Sequence, residues 1–553
     1  MDPNDAKLSR GMALHQEGRL AEAEKLYREV LRQSPKRFDA LYLLGIAELA
    51  AGKPRRAVDL IDRSIRQNPG FPPAWCNKGL ALALLTRHAE ALTGFDKALS
   101  LDPAFAEAWY NRGISLHALA RPQDAVASFD KALAIRPNDA DAHNHRALSL
   151  ISLGRHAEAL ASLDKALSLH PDFAAAHTNR GNAFIGLKRP ADARASFDRA
   201  LAIDPALAEA WCNRGDALHD LNRPDDAEAS FREALLRKPD LAEAHFGLSL
   251  TLLALGRYEE GFRRHEWRKK RATPEGARSF PQPAWLGDRP IQGRILFIHP
   301  ELFLGDMINL CRYAPLAEAM GARVILAVQE PLRNLLQSLG PALTVIGEAD
   351  PPPRFDLHCP LMSLPLAFGT MPGSVPAAVP YLHPDPILTA AWKDKLGGHG
   401  FRIGICWQGS AASVAMDRAV PLSCFSEISR LPDVRLISLQ TGEGCEQLAA
   451  QPEGMNVESY DEPGAAPRPF EVTAAMMANL DLVITSDTAI AHLAGALGRP
   501  TWIALKQVPD WRWGLQGDTT PWYPTVRLFR QPAANDWTSV FSAIHAALMK
   551  RPG

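Results

Sequence analysis

The chain has 553 residues, with 61 Lys+Arg against 62 Asp+Glu, 46% hydrophobic and 22% charged residues. At ~150 residues per domain that length predicts three or four domains with full cores, and the composition excludes wholesale disorder, while the balanced charge excludes a general role in neutralising nucleic-acid phosphates. The start, MDPNDAKLSRGMALH, has no apolar h-region, no apolar run nears the ~20 residues of a bilayer span, and the seven cysteines form no CxxC pair, so the expectation is a cytoplasmic protein without a disulfide framework, structural zinc or transmembrane segment.

Seven of the 44 prolines stand in register: Pro35, Pro69, Pro103, Pro137, Pro171, Pro205 and Pro239 are 34 residues apart. Six residues after the proline comes a large residue, seen as Trp75, Trp109, His143, His177, Trp211 and His245. Four further on comes a small one: Gly45, Gly79, Gly113, Ala147, Gly181 or Gly215. Later come Ala57, Ala91, Ala125, Ala159, Ala193 and Ala227, each followed four residues on by Ile61, Phe95, Phe129, Leu163, Phe197 or Phe231. A 34-residue period marks stacked helical pairs. Residues 1–270 resemble tetratricopeptide repeats, with seven full copies and a degenerate eighth ending in GRYEEGFRRHEWRKK. The proline lacks an amide hydrogen and restricts the residue before it, so it ends the second helix of each pair. The pattern predicts that a large residue on the first helix fills a gap left by small residues on the second. One pair cannot bury its apolar face alone, so stacked neighbours share a core.

Asn77, Asn111, Asn179 and Asn213 lie two residues after the large position, with His145 in the middle copy. Two helical steps turn about 200°, so these side chains should point away from the packing face. A ladder of amides donates to and accepts from a peptide backbone whatever its side chains, which predicts a protein or peptide partner. The ladder resembles that of protein O-GlcNAc transferases; the alternative is a solubilising asparagine copied with the repeat. Asp139-Ala140-Asp141 has the form of a metal–nucleotide DxD, but it falls just after Pro137 in an inter-repeat turn, where Asp is a capping residue. Cys76 and Cys212 share one repeat position and read as core residues. His143, His177 and His245 read as packing substitutes for Trp.

Residues 271–293 are rich in Pro and Gly and read as a linker. Short apolar runs then alternate with helical stretches, predicting strands at Arg294–His299, Arg323–Val328, Ala342–Gly347 and Phe355–Cys359, with helices near 306–319 and 331–339. After a proline-rich passage at 371–386, further strands are predicted at Arg402–Trp407, Val434–Gln440, Asn456–Tyr460, Leu482–Thr485 and Thr501–Leu505. Such alternation means βαβ units and parallel sheets. Two blocks, 294–385 and 386–553, predict two Rossmann-like lobes in a GT-B layout, so the fold class is an all-α solenoid followed by α/β domains. Ligands in such sheets bind at strand carboxyl ends.

Walker A, GxGxxG, HExxH and GxSxG signatures are absent from the sequence. The sharpest segment is Leu482–Gly498, where a buried strand ends at Ser486-Asp487-Thr488 and runs into a small-residue helix with His492 one turn in. Open amides at Asp487–Ala489 predict an anion site; the plainer reading is a helix cap. Ser486-Asp487-Thr488-Ala489 with His492 resembles the DTxxxH segment of family-9 glycosyltransferases, the heptosyltransferase group, where it holds the donor diphosphate. Leu304-Gly305-Asp306 resembles that group's LGD loop, whose Asp is regarded as the base. Cys406-Trp407-Gln408-Gly409-Ser410 with Asp417-Arg418 resembles its donor loop, and Ser438-Leu439-Gln440 a strand end near the nucleotide. The resemblance extends over roughly 285–553, including Pro509–Trp513 and Pro521–Thr525.

This resemblance implies metal-independent, inverting transfer from a nucleotide-sugar co-substrate to an acceptor hydroxyl, with no further cofactor. Asp306 would be the base, and Trp407, Gly409, Ser410, Arg418, Gln440, Ser486, Asp487, Thr488, Ala489 and His492 would bind the donor. Lys506 and Arg512 are further cations within reach, and Glu301 is an alternative base, read more simply as a solvated loop carboxylate. The loop His299–Asp306 lacks the glycine-rich stretch of relatives, and Ser410–Arg418 lacks their His or Lys before Asp-Arg. These departures keep open a non-catalytic repeat scaffold whose second half binds a nucleotide or is structural.

Overall fold

The structure is a computed structural model that describes residues 3–271, 278–301, 303–410, 417–461 and 467–551. Two compact units divide it, Met1–Ala217 and Leu218–Gly553, with the helix Ala208–Asp220 straddling the boundary.

The first unit is a run of antiparallel helix pairs, from Pro3–Gln16 with Leu20–Gln33 to Ala174–Gly186 with Pro190–Ile203, ending in the Ala208–Asp220 helix. The registered prolines follow the C-cap residues Ser34, Asn68, Asp102, Arg136 and Asp204, as expected of helix terminators. Pro54, Pro72, Pro122 and Pro190 instead open helices, where a missing amide hydrogen costs nothing. Asp139 caps its helix by accepting from the Ala142 amide at 2.9 Å, which is the structural role expected of that DxD.

Within a pair the packing runs opposite to expectation, because the small residue sits on the first helix and admits the large residue of the second. A Cβ on Gly113 would stand 2.7 Å from Phe129 Cε1, on Gly79 2.6 Å from Phe95 Cε1, and on Gly181 2.4 Å from Phe197 Cε1. The large residue of the first helix has a second function that packing alone did not reveal. The ring nitrogens of Trp75, Trp109 and Trp211 donate to the carbonyls of Pro69, Pro103 and Pro205 at 2.9, 2.9 and 3.1 Å. Nε2 of His143 and His177 meets the carbonyls of Pro137 and Pro171 at 3.0 and 2.9 Å. Trp and His therefore interchange because each offers a ring N–H to the proline turn. On the same helices Lys78, Arg112, Arg146 and Arg214 pair with Asp62, Asp96, Asp130 and Asp198.

The second unit begins with helices Pro224–Arg237, Ala242–Ala254 and Tyr258–His265, where His245 Nε2 meets the Pro239 carbonyl at 2.9 Å. Two parallel sheets follow. The first comprises β1 (Ile295–His299), β2 (Arg323–Val328), β3 (Thr344–Gly347) and β4 (Leu357–Pro360) in the order β3-β2-β1-β4. The second comprises β5 (Phe401–Cys406), β6 (Val434–Ser438), β7 (Val457–Glu458), β8 (Leu482–Ser486), β9 (Thr501–Leu505) and β10 (Val526–Arg530) in the order β10-β9-β8-β5-β6-β7. Each sheet starts at an inner strand, winds outward, and returns to the other side. The order therefore reverses between β1 and β4 and between β5 and β8, opening a crevice at the strand ends.

Three expectations are corrected. Of the supposed linker, residues 272–277 lie outside the described residues, whereas 278–293 pack on the first sheet: Trp285 is buried, its amide donates to the His358 carbonyl at 2.8 Å, and Phe280 meets Phe297 and Phe355 edge-on. The helix expected near 306–319 is two helices, Leu304–Leu310 and Tyr313–Ala319, with buried Arg312 between them donating from Nε to the Asn309 carbonyl. The sequence pattern missed β10, which pairs with β9 through Val526–Arg530.

Gly113→Ala should lower stability by about 1–3 kcal/mol, the usual cost of overpacking a filled core. Urea unfolding followed by circular dichroism measures it, and adding Phe129→Leu should recover part of the loss because the clash is with that ring.

Candidate functional site

A cleft of about 1050 Å³ in the second unit collects the ends of β1, β4, β5, β6 and β8. Asp306 lies in the first turn of the helix Leu304–Leu310, whose N-cap is Phe303, so Asp306 is not itself the cap. Its side chain keeps 18% exposure toward the cleft, and Oδ1 accepts from Arg512 Nη2 at 2.6 Å. Arg512 also donates from Nη1 to Asp510 Oδ1 at 3.0 Å and from Nε to Asn309 Oδ1 at 3.2 Å. Across the cleft Arg418 pairs with Asp487 at 3.3 Å and with Asp510 at 3.8 Å, while Trp513 Nε1 donates to Asp487 Oδ1 at 2.8 Å. Three carboxylates, Asp306, Asp487 and Asp510, thus surround two guanidiniums.

Burial sets the electrostatics of this cluster. It pushes the Asp306 carboxyl above its ordinary value, with Arg512 opposing, and raises Asp487 likewise, with Arg418 opposing. Burial also pushes Asp510 upward, but Arg512 and Arg418 together outweigh it and leave that carboxyl below the ordinary value. For His492, burial and then the nearby Arg512 cation depress the imidazole well below 6.5, so the ring is neutral at neutral pH.

The segment after β8 supplies the opposite wall. Thr488 caps the helix Ala489–Ala496 by accepting from the Ile490 amide at 3.3 Å on its hydroxyl and from the Ala491 amide at 3.0 Å on its carbonyl, so that of the first three amides only Ala489 has no acceptor among the described residues. His492 lies one turn in, stacked on Trp513 with ring centroids 5.1 Å apart. A Cβ on Gly305 would come within 2.9 Å of His492 Cδ2, so glycine allows the helices that follow β1 and β8 to approach.

Of the expected donor residues, Gly409, Ser410, Arg418, Gln440, Asp487, Thr488, Ala489 and His492 line the cleft with Asp306. Residues 411–416 of the donor loop lie outside the described residues. Two expected positions fall elsewhere. Trp407 is fully buried with Nε1 donating to the Gly444 carbonyl at 3.2 Å, because a residue just past a central strand continues its alternation into the core. Ser486 ends β8 inside the sheet and is buried. Gln440 reaches the cleft, yet its amide is engaged: Oε1 accepts from the Trp407 and Gln408 amides, and Nε2 donates to the carbonyls of Gln408 and Glu443. It joins the β5 and β6 loops and leaves little capacity for a ligand. Glu301 is no solvated carboxylate, since Arg268 grips it at 2.8 and 2.9 Å and the Met362 amide donates to it at 2.8 Å.

The sequence places Arg512 only within reach, reads Trp513 as a packing residue rather than one that stacks on a sugar, and assigns no role to Asn309, Asp510 and Tyr523. The available signal was the dense charged and aromatic run Pro509–Trp513 and the neighbouring Pro521–Thr525. The last helices also contribute: Phe246, Leu250, His265 and Arg268 line the same cleft.

The asparagine ladder differs from expectation in one respect. Asn77 Nδ2 donates to Tyr42 Oη at 2.8 Å, Asn179 Nδ2 to Asn144 Oδ1 at 2.9 Å, and Asn213 Nδ2 to Asn182 Oδ1 at 2.8 Å, while Asn111 Nδ2 lies 4.0 Å from Cys76 Sγ. The amide donors turn back onto the preceding repeat, so the ladder ties repeats together. Cys76 and Cys212 are buried, as expected of core residues.

Tetratricopeptide repeat profiles match residues 14–77, 72–105, 106–139, 145–208 and 212–265. The N-terminal part of the chain therefore carries tetratricopeptide repeats. Protein FlbA of Caulobacter vibrioides is 28% identical over 326 residues, 55% of this chain and 54% of FlbA, so the chain spans about half the length of the curated relative it matches. Among solved structures, YrrB, described as a TPR protein with an unusual peptide-binding site, is 24% identical over 34% of this chain and 96% of its own, with a TM-score of 0.30. A tetratricopeptide repeat protein of Parabacteroides merdae is 19% identical over 45% and 98%, with a TM-score of 0.37. No helix among the described residues is long and apolar enough to cross a membrane.

A carboxyl whose folded pKa is raised costs stability as it ionises. For Asp306 the cost is absent below the ordinary carboxylate range and complete above its raised value. The melting temperature of Asp306→Asn minus that of the wild type should therefore rise from pH ~4 to pH 8, added to a constant offset from the lost pair with Arg512. Paired thermal melts across that range measure it; a difference that falls as pH rises contradicts the assignment.

Proposed function

We propose that the second unit is a glycosyltransferase that moves a sugar from a nucleotide-sugar donor to an acceptor hydroxyl, and that the repeats recruit a protein partner. The observation that carries this reading is the cleft in which Asp306 faces Arg418, Arg512, the start of the Ala489–Ala496 helix and His492. The strand order β7-β6-β5-β8-β9-β10 is that of a doubly wound dinucleotide-type sheet, which supports a GT-B arrangement with the smaller first sheet.

In the proposed reaction the acceptor hydroxyl passes its proton to Asp306. Its Oδ1 is held by Arg512, and Oδ2 has no hydrogen-bond partner among the described residues. The acceptor oxygen attacks the sugar C1 while the C1–diphosphate oxygen bond breaks, and the electron pair leaves with the nucleoside diphosphate. A raised carboxyl pKa favours proton acceptance near neutrality. Arg418, Thr488, the Ala489 amide and His492 meet the charge that develops on the leaving group.

A thermal-shift series with UDP-, GDP-, ADP- and CMP-sugars tests the reading, with stabilisation by at least one expected. Arg418→Ala should weaken that donor about tenfold or more, the worth of a charge-assisted hydrogen bond. Asp306→Ala should retain binding and lose transfer by roughly 10²–10⁴-fold. No stabilisation by any nucleotide sinks the enzyme reading. Binding without turnover in the wild type supports the alternative of a nucleotide-binding scaffold, which the ion-paired state of Asp306 and the altered loops favour.

The repeats are tested separately. One amide hydrogen each of Asn77, Asn179 and Asn213 is engaged between repeats, and the reading is that the remaining amide atoms of the ladder meet a partner's backbone. Alanine at Asn77, Asn111, Asn179 and Asn213 together should weaken partner capture at least tenfold in a pull-down with the full chain. Unchanged capture removes the ladder from the binding surface.

A further inference from the structure

Behind the cleft a buried chain of hydrogen bonds runs from Arg512 to His492. Arg512 Nε lies 3.2 Å from Asn309 Oδ1, Asn309 Nδ2 lies 2.8 Å from Tyr523 Oη, and Tyr523 Oη lies 3.0 Å from His492 Nδ1. Asn309, which has 0% exposure, sits at the centre of this chain.

The donors without a choice assign the protons. A guanidinium only donates, so the Asn309 oxygen faces Arg512 and its NH₂ faces Tyr523. Tyr523 therefore accepts from Asn309 and directs its own hydrogen elsewhere. Tyr381 Oη lies 3.5 Å away and gives its own hydrogen to the Ile308 carbonyl at 2.9 Å. The nearer acceptor is His492 Nδ1. A ring nitrogen that accepts leaves the proton of a neutral imidazole on the other nitrogen. His492 Nε2 has no protein partner among the described residues, and its ring edge lies beside Gly305 at the cleft.

We propose that Asn309 is a positioning residue that sets His492 as a neutral Nε2–H donor facing the cleft, and that the same amide holds Arg512 in place for Asp306. One buried side chain thus orients both a donor for a ligand oxyanion and the cation beside the acidic group. The inference rests on the glycosyltransferase reading only for the identity of that oxyanion, a diphosphate; the proton assignment stands without it.

Asn309→Asp is the decisive variant. Its carboxylate accepts from Arg512 as before but cannot donate to Tyr523, which then turns its O–H toward the new oxygen and leaves a lone pair for the ring. His492 should move its proton to Nδ1 and present a bare Nε2 to the cleft. Long-range ¹⁵N–¹H spectra of the deuterated, ¹⁵N-histidine-labelled full chain read the tautomer, with His492→Gln assigning the signal. The expected result is an Nε2–H ring in the wild type, an Nδ1–H ring in Asn309→Asp, and a mixture in Tyr523→Phe, which loses the hydroxyl and keeps the ring. An Nδ1–H wild type, or an Nε2–H ring that persists in Asn309→Asp, overturns the proposal. If Asn309→Asp does not fold, a Tyr523→Phe ring that stays wholly Nε2–H overturns it as well. Calorimetry with inorganic pyrophosphate adds a second readout, with affinity expected to fall about tenfold or more in Asn309→Asp. A wild type that fixes the tautomer yet binds no pyrophosphate counts against the diphosphate reading and supports the positioning role.

Discussion

The second unit depends on the pairing of Arg512 with Asp306. A buried guanidinium left without a carboxylate destabilises a protein by several kcal/mol, so everything that positions either partner is constrained together. Asp306 comes from the helix after β1, Asp510 from the loop that carries Arg512, and Asn309 from one turn beyond Asp306. The neighbouring Trp511 packs edge-on against Tyr258 and Phe262 of the last repeat helix, and Trp522 Nε1 donates to Tyr258 Oη at 3.1 Å. The terminal repeat is thereby part of the scaffold that fixes the cleft.

A second contact reinforces this. Arg268, just past the last repeat helix, grips Glu301 at the end of β1, and Glu266 and Ser363 complete the network. Burial pushes the Glu266 carboxyl up, yet Arg268 and Lys269 hold it at about 2, so Glu266 stays ionised at neutral pH. The loop leading to Asp306 is held through Glu301 while the partner of Asp306 is held through Trp511. The site is braced from both sides by a segment whose sequence reads only as a degenerate repeat.

The repeats were legible because a 34-residue period fixes which residues face each other in every copy. The period does not say what the large position does. Trp and His look like ring fillers until the distances to the proline carbonyls show that a ring N–H is the shared property. Likewise the asparagine periodicity was visible, but the targets of its amides, at Tyr42, Asn144 and Asn182, depend on how one repeat stacks on the next.

In the second unit the strand-end segments were legible, since a strand running into a small-residue helix leaves amides open wherever it occurs. Asp306, Asp487, Thr488 and His492, expected on that pattern and on family resemblance, line one cleft. Trp407, Ser486 and Gln440 were harder, because strand alternation and loop-to-loop hydrogen bonding decide whether a residue faces the cleft or the core. Local sequence thus determined the helical period, most strands and the chemistry at their ends. Only the tertiary structure brought Arg512, Asp510, Asn309 and Tyr523, some 200 residues apart in two groups, into one hydrogen-bonded cluster. Pairing, protonation and tautomer are properties of that juxtaposition, because each depends on which donor or charge the fold places within about 3 Å.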